Sequence, residues 1–205
     1  MCGLVIFMLL DARPLSTDDA YIVDIGKLEL EFGYEFTRIE HTCEVSLKHG
    51  MTKRLDFAIA LPYLIKPDQK IGLPGFCIKY SFLGEVNKIP GISVSFANEL
   101  GTSEYVLNGI ISKETRKVLL HLNFGYTNST ITHSGEIIAS GALEFSLLEK
   151  FTSVGEVICE DKNLTEILVG ANFQAFDGII LDFGIGRMFN EETQWRSTFG
   201  FTYEF

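Results

Sequence analysis

Ten polar side chains are spaced so that they could share one aqueous path: Glu29, Glu31, Glu44, Lys48, Asp56, Lys79, His121, Asn123, Asp182 and Arg196. Most have an apolar or aromatic residue on both sides in the sequence, as in Leu-Glu-Leu-Glu-Phe over 28–32 and Leu-Asp-Phe over 181–183. Acids and bases are mixed. Gathered round a narrow bore, they would form a mixed-charge constriction that sets which solutes pass. They would also have to pair across it, because a lone charge away from bulk water is costly.

Hydrolytic chemistry is the competing use of these residues. The histidines are His41, His49, His121 and His133. His121 beside Asn123, with serines on other segments, offers the ingredients of a Ser-His-Asn hydrolase of the barrel lipase or acyltransferase type. No Gly-x-Ser-x-Gly elbow accompanies them, so His121 is expected to be a hydrogen-bonded lumen group and the chain is not expected to be an enzyme. Cys2, Cys43, Cys77 and Cys159 show no metal-ligand spacing and are read as free, small and apolar. With no phosphate loop, zinc signature or calcium loop, no cofactor and no metal are expected. A net charge of −10 argues against a nucleic-acid partner, which calls for a basic face.

These side chains need elements that hold them on one face, and the chain supplies strands. In the last eleven residues Trp195, Ser197, Phe199, Phe201, Tyr203 and Phe205 alternate with Arg196, Thr198, Gly200, Thr202 and Glu204. A strand sends these two sets to opposite sides. Similar runs cover 28–36, 55–63, 117–126, 167–174 and 179–186, with weaker ones at 42–49, 75–84, 91–99, 104–112, 136–147 and 151–160. Helical spacing would scatter Glu29, Glu31 and Glu35 among aromatics. The total is roughly twelve strands, and each is about as long as a tilted strand that crosses a bilayer.

The resulting expectation is an all-β fold, a closed antiparallel up-and-down transmembrane β-barrel of about twelve strands over residues 27–205. Greasy side chains face lipid and the polar parity lines a wet axis. Tyr34, Phe36, Tyr63, Tyr126, Trp195 and Tyr203 are placed at the membrane interfaces as girdles. Tight turns are expected at 50–53, 113–115, 149–150 and 176–178, and longer polar loops at 67–70, 128–133, 160–163 and 190–193. A soluble lipocalin-like carrier, with the aromatic parity turned inward, stays open.

Residues 1–11 contain Leu4-Val5-Ile6-Phe7-Met8-Leu9-Leu10, which resembles the apolar centre of a signal peptide without its basic lead; a buried strand or plug is the alternative. Residues 12–26 are expected to form a periplasmic N-terminal segment. Within it, Thr17-Asp18-Asp19 is read either as turn and cap residues or as a plug or cation site in the lumen.

Ala12-Arg13-Pro14-Leu15-Ser16-Thr17-Asp18-Asp19-Ala20, followed by Gly26-Lys27-Leu28-Glu29-Leu30-Glu31, resembles the opening of bacterial outer-membrane transporter-like proteins named for the meta-pathway of phenol degradation. Gly50-Met51-Thr52-Lys53-Arg54-Leu55-Asp56-Phe57 and Leu61-Pro62-Tyr63 are similar to later parts of that family. Tyr203-Glu204-Phe205 is similar to the terminal aromatic signature read by barrel-assembly machinery, with Phe205 as the assembly signal. The resemblance implies an outer-membrane barrel in contact with membrane lipid, and uptake of a small aromatic or hydrophobic molecule.

Overall fold

The structure is a computed structural model that describes residues 14–129, 134–189 and 194–205. The apolar stretch 4–10, Cys2 and His133 therefore lie outside the described residues. So do residues 130–133 of the expected loop at 128–133 and the whole of the expected loop at 190–193.

The alternating segments form long strands: β1 (Leu28–Phe36), β2 (His41–Thr52), β3 (Leu55–Lys66), β5 (Gly75–Leu83), β6 (Gly91–Glu99), β7 (Tyr105–Thr115), β8 (Val118–Ser129), β9 (Ser134–Leu148), β10 (Phe151–Glu160), β11 (Asn163–Phe176), β12 (Ile179–Met188) and β13 (Gln194–Glu204). A two-residue strand, β4 (Lys70–Ile71), pairs beside the end of β3. Every pairing of the long strands is antiparallel, and all are between sequence neighbours except the seam, where β1 pairs with β13 as well as with β2. The ring therefore closes. Closure satisfies each backbone donor and acceptor within the sheet, which is what a strand structure in hydrocarbon requires. The seam is aromatic, with Phe32 opposite Phe201 and Tyr34 opposite Phe199. Leu28 and Phe205 exchange both main-chain hydrogen bonds at 2.9 Å.

The parity faces outward as the alternation predicts. Phe124, Phe183 and Phe199 are 65%, 56% and 51% exposed, whereas Asp182 and His121 are 2% and 1% exposed. An outward aromatic belt around a buried polar interior excludes the lipocalin-like arrangement. Much of the inner wall is small, including Gly33, Ala58, Ala60, Gly91, Ala97 and Gly200, all buried. That leaves interior volume that wall side chains do not fill.

Several turns differ from the sequence reading, always because pairing continues further. Lys113-Glu114-Thr115 is the end of β7, paired with residues 118–120, and the reversal falls at Arg116–Lys117, with Arg116 at φ 48°. After β2 the turn is Lys53–Arg54, since Thr52 still pairs with Leu55. The expected loop at 160–163 is a tight hairpin in which Asp161 and Lys162 both take positive φ, the geometry that matches the twist of the flanking strands. The expected loop at 67–70 contributes Lys70 to β4.

Gly50 is required by close approach. A Cβ on Gly50 would lie 2.1 Å from the carbonyl oxygen of Asp24. Here the chain before β1 crosses the inner wall, with Ile25 bridged to Gly50 and Gly26 donating to the Gly50 carbonyl at 2.8 Å. Gly50→Val should displace that crossing and destabilise the barrel by about 1–3 kcal/mol. Urea unfolding of the refolded protein in micelles measures it, and an unchanged midpoint would show that the crossing carries no weight.

Candidate functional site: a plugged bore

Residues 14–25 run inside the ring. Leu15, Thr17, Asp18 and Ala20 are buried although they belong to no strand. The segment climbs from the end of the barrel where β13 finishes toward mid-height, touching strands on every side. The structure thus places Thr17-Asp18-Asp19 in the lumen, the plug location of the two that the sequence left open.

Wall side chains hold the plug mostly by its main chain. Glu156 accepts the N–H groups of Ser16, at 3.0 Å, and of Thr17. Asn123 makes a double contact with Asp18, accepting its N–H and donating to its carbonyl, both at 2.8 Å. Ala20 is bracketed: its N–H donates to Ser112 Oγ at 2.8 Å and its carbonyl accepts from Ser93 Oγ at 2.6 Å. Lys79 Nζ donates to the Asp19 carbonyl at 3.1 Å, and Val23 N–H donates to Asp56 Oδ2 at 3.2 Å.

Side chains add a second layer of contacts. Lys79 Nζ lies 3.0 Å from Asp18 Oδ1. Arg196 Nη2 donates to Ser16 Oγ at 3.2 Å, and Thr17 Oγ1 donates to Ser140 Oγ at 2.8 Å. Leu15 completes an apolar cluster with Ala142, Val154 and Leu168. At the lower end the Tyr21 hydroxyl donates to Glu85 at 2.8 Å, and Lys113 donates to the same carboxylate. The Lys113 ammonium, foremost, holds the Glu85 carboxyl below its usual pKa; burial, helped by Glu85, raises the Tyr21 phenol above its own.

The ten residues singled out from the sequence all lie on the inner face. They form groups rather than one ring. Lys48 sits 3.2 Å from Glu29 and 2.9 Å from Glu31, with Ser46 donating to Glu31. Arg196 lies 3.1 Å from Glu35 and 2.7 Å from Glu166. Asp56 and Lys79 are cross-strand partners, and both reach the plug. Asn123 holds the plug, while Glu44 and Asp182 are buried elsewhere on the wall.

His121 belongs to a set the sequence did not reveal. Its Nδ1 lies 2.8 Å from Ser112 Oγ and its Nε2 lies 3.1 Å from Glu144 Oε1. The distances suit a proton relay. The serine, however, is fully buried beneath Ala20, accepts that residue's N–H and faces the bore, so lipid on the outer face cannot reach it. The arrangement does the work of a plug anchor.

Sequence reasoning also missed Ser93, Ser112, Ser140 and Glu156 as a group. Their only signal is inward parity, which they share with every other polar wall residue.

Of the expected girdle, Phe36, Tyr126 and Trp195 are exposed toward the end of the barrel opposite the finish of β13, and Tyr34 and Tyr63 are half-buried at the same end. Tyr203 is at the opposite end, stacked on Phe205 with ring centroids 5.3 Å apart. Arg187 lies over the Trp195 ring at 5.3 Å. Cys43, Cys77 and Cys159 are free thiols, and no metal-binding cluster occurs among the described residues.

No protein-family model and no curated protein matches the chain. Solved structures do. The KdgM porin in complex with disordered oligogalacturonate aligns with 86% of this chain and 99% of its own, at TM-score 0.66 and 14% identity. The COG4313 outer membrane channel from Pseudomonas putida F1 covers 91% of this chain and 98% of its own, at TM-score 0.65 and 14% identity. Outer membrane phospholipase A from Escherichia coli covers 97% and 95%, at TM-score 0.57 and 7% identity. At these identities the likeness is one of fold: this chain shares the closed antiparallel barrel of these outer-membrane proteins.

Proposed function

We propose that this protein is an outer-membrane channel for passive uptake or binding of a small solute, closed at rest by its own residues 14–25. The observation that carries this reading is the plug itself. A barrel with a solely structural role could fill its core with wall side chains. Here small wall residues leave a bore, and a separate segment occupies it through polar contacts that can be exchanged for water. In the membrane, the end where β13 finishes is periplasmic, and Tyr203-Glu204-Phe205 offers the assembly machinery an aromatic signature.

The finer assignment is to the transporter-like family named for the meta-pathway of phenol degradation. It rests on the motifs at 12–20 and 50–57. Fold alone does not select a cargo. The small aromatic or hydrophobic solute associated with that family would meet an inner patch made by Ala58, Ala60, Cys77, Ala97 and Val106.

The test is conductance in a planar bilayer. Neutralising Asp56, Asp182 and Arg196 (to Asn, Asn and Gln) should shift the cation-to-anion permeability ratio at least ~twofold, because these groups dominate the local field of a narrow bore. An unchanged ratio would remove Asp56, Asp182 and Arg196 from any role in selectivity.

A further inference from the structure

The wall around the plug recognises peptide as such. Of the contacts that hold residues 16–23, those to Ser16, Thr17, Asp18, Asp19, Ala20 and Val23 include main-chain N–H or C=O groups. Two residues are read on both their donor and their acceptor. The Asn123 carboxamide pairs with Asp18 as one amide pairs with another, and Ser112 and Ser93 bracket Ala20. Such contacts do not depend on which side chain the peptide carries, as in other modes of extended-peptide capture. Side-chain preference enters at two points: the Leu15 cluster takes an apolar residue, and Lys79 takes an acidic residue three positions later.

From this geometry we infer that the bore is a binding site for short extended peptides supplied in trans, with residues 14–25 as the tethered occupant that a free peptide replaces. The inference rests on the channel reading above and adds a ligand class to the same bore. Asn123, Ser112, Ser93 and Glu156 are the residues that bind the main chain. Lys79 and the Leu15 cluster bias the sequence toward an apolar residue followed at the third position by an acid.

A protease recognition sequence inserted after Gly26 tests this in the full-length, refolded protein, where cleavage severs the plug's link to β1 after the barrel has folded. The cut segment should stay with the barrel through gel filtration and exchange with a fluorescent peptide of the sequence 15–23, followed by anisotropy. An unrelated peptide of equal length, with a small residue at the position of Ala20, should compete within about tenfold of the native sequence, since most contacts are to main chain. The native peptide N-methylated at the nitrogens of Asp18 and Ala20 should bind at least ~tenfold more weakly, as should the native peptide to Asn123→Ala protein, because each change leaves a buried polar group unpaired. A segment that leaves on cleavage and does not rebind would overturn the inference. So would equal binding of the N-methylated peptide, which would place recognition in the side chains. Conductance of the cleaved barrel, recorded after the segment has been stripped from the bore with mild denaturant, separates the two ideas. Ion flow without peptide binding leaves the channel reading standing and removes this one; peptide binding with no ion flow does the reverse.

Discussion

Asp18→Lys should open the bore. In the native protein the Asp18 carboxylate lies 3.0 Å from Lys79 Nζ, deep in the lumen. A lysine at position 18 sets two ammonium groups against each other and takes from Lys79 the nearer of its two plug carboxylates, leaving Asp19 at 3.8 Å. Breaking a buried pair in this way costs about 3–5 kcal/mol. The plug can escape that cost by leaving the lumen, where water then solvates both cations. A tenfold change in an equilibrium corresponds to about 1.4 kcal/mol, so a cost of this size shifts the plugged-to-open ratio more than ~100-fold, and mean conductance should rise at least ~tenfold. Asp18→Asn is the control: it adds no repulsion, leaves the Asp19 carboxylate 3.8 Å from Lys79 and keeps the Asn123 contacts to the main chain, so conductance should rise far less than in Asp18→Lys. Single-channel recording at neutral pH reads both variants. Native-like conductance from Asp18→Lys would mean that residues 14–25 do not gate the path.

Arg196→Ala should have the largest effect on stability. Arg196 stands between Glu35 and Glu166 on different strands, and it also holds Ser16 of the plug. Without it the two carboxylates are left facing each other in a confined space. The loss should be about 3–5 kcal/mol, far beyond the 0–1 kcal/mol typical of an exposed pair. Arg196→Lys keeps one charge but loses the planar fork that serves several acceptors at once, so it should fall between. Urea titration of the barrel in micelles orders the three proteins. A loss under ~1 kcal/mol for Arg196→Ala would show that the cluster is solvated like a surface pair.

The outer half of this protein was legible residue by residue. Phe183 and Phe199 face out, and Asp182 and Arg196 face in, because strand parity is a property of neighbours in the chain. The charged members of the wall stood out against their apolar flanks. The serines that grip the plug did not, since Ser93 and Ser112 look like any small polar residue on the inner parity. The turn positions were off by a few residues at 113–115 and 50–53, where pairing with the next strand extends the ladder past the local turn signal.

Sequence by itself determined the strands, the direction of each side chain and the closed ring, because a period of two is written locally and closure is the general solution for strands in lipid. Tertiary structure decided the course of residues 14–25 and the partners of each lumen charge. Ser16 meets Glu156 and Asp18 meets Asn123 across more than a hundred residues of chain. Those meetings depend on where the ring curls round to, and no local pattern records that.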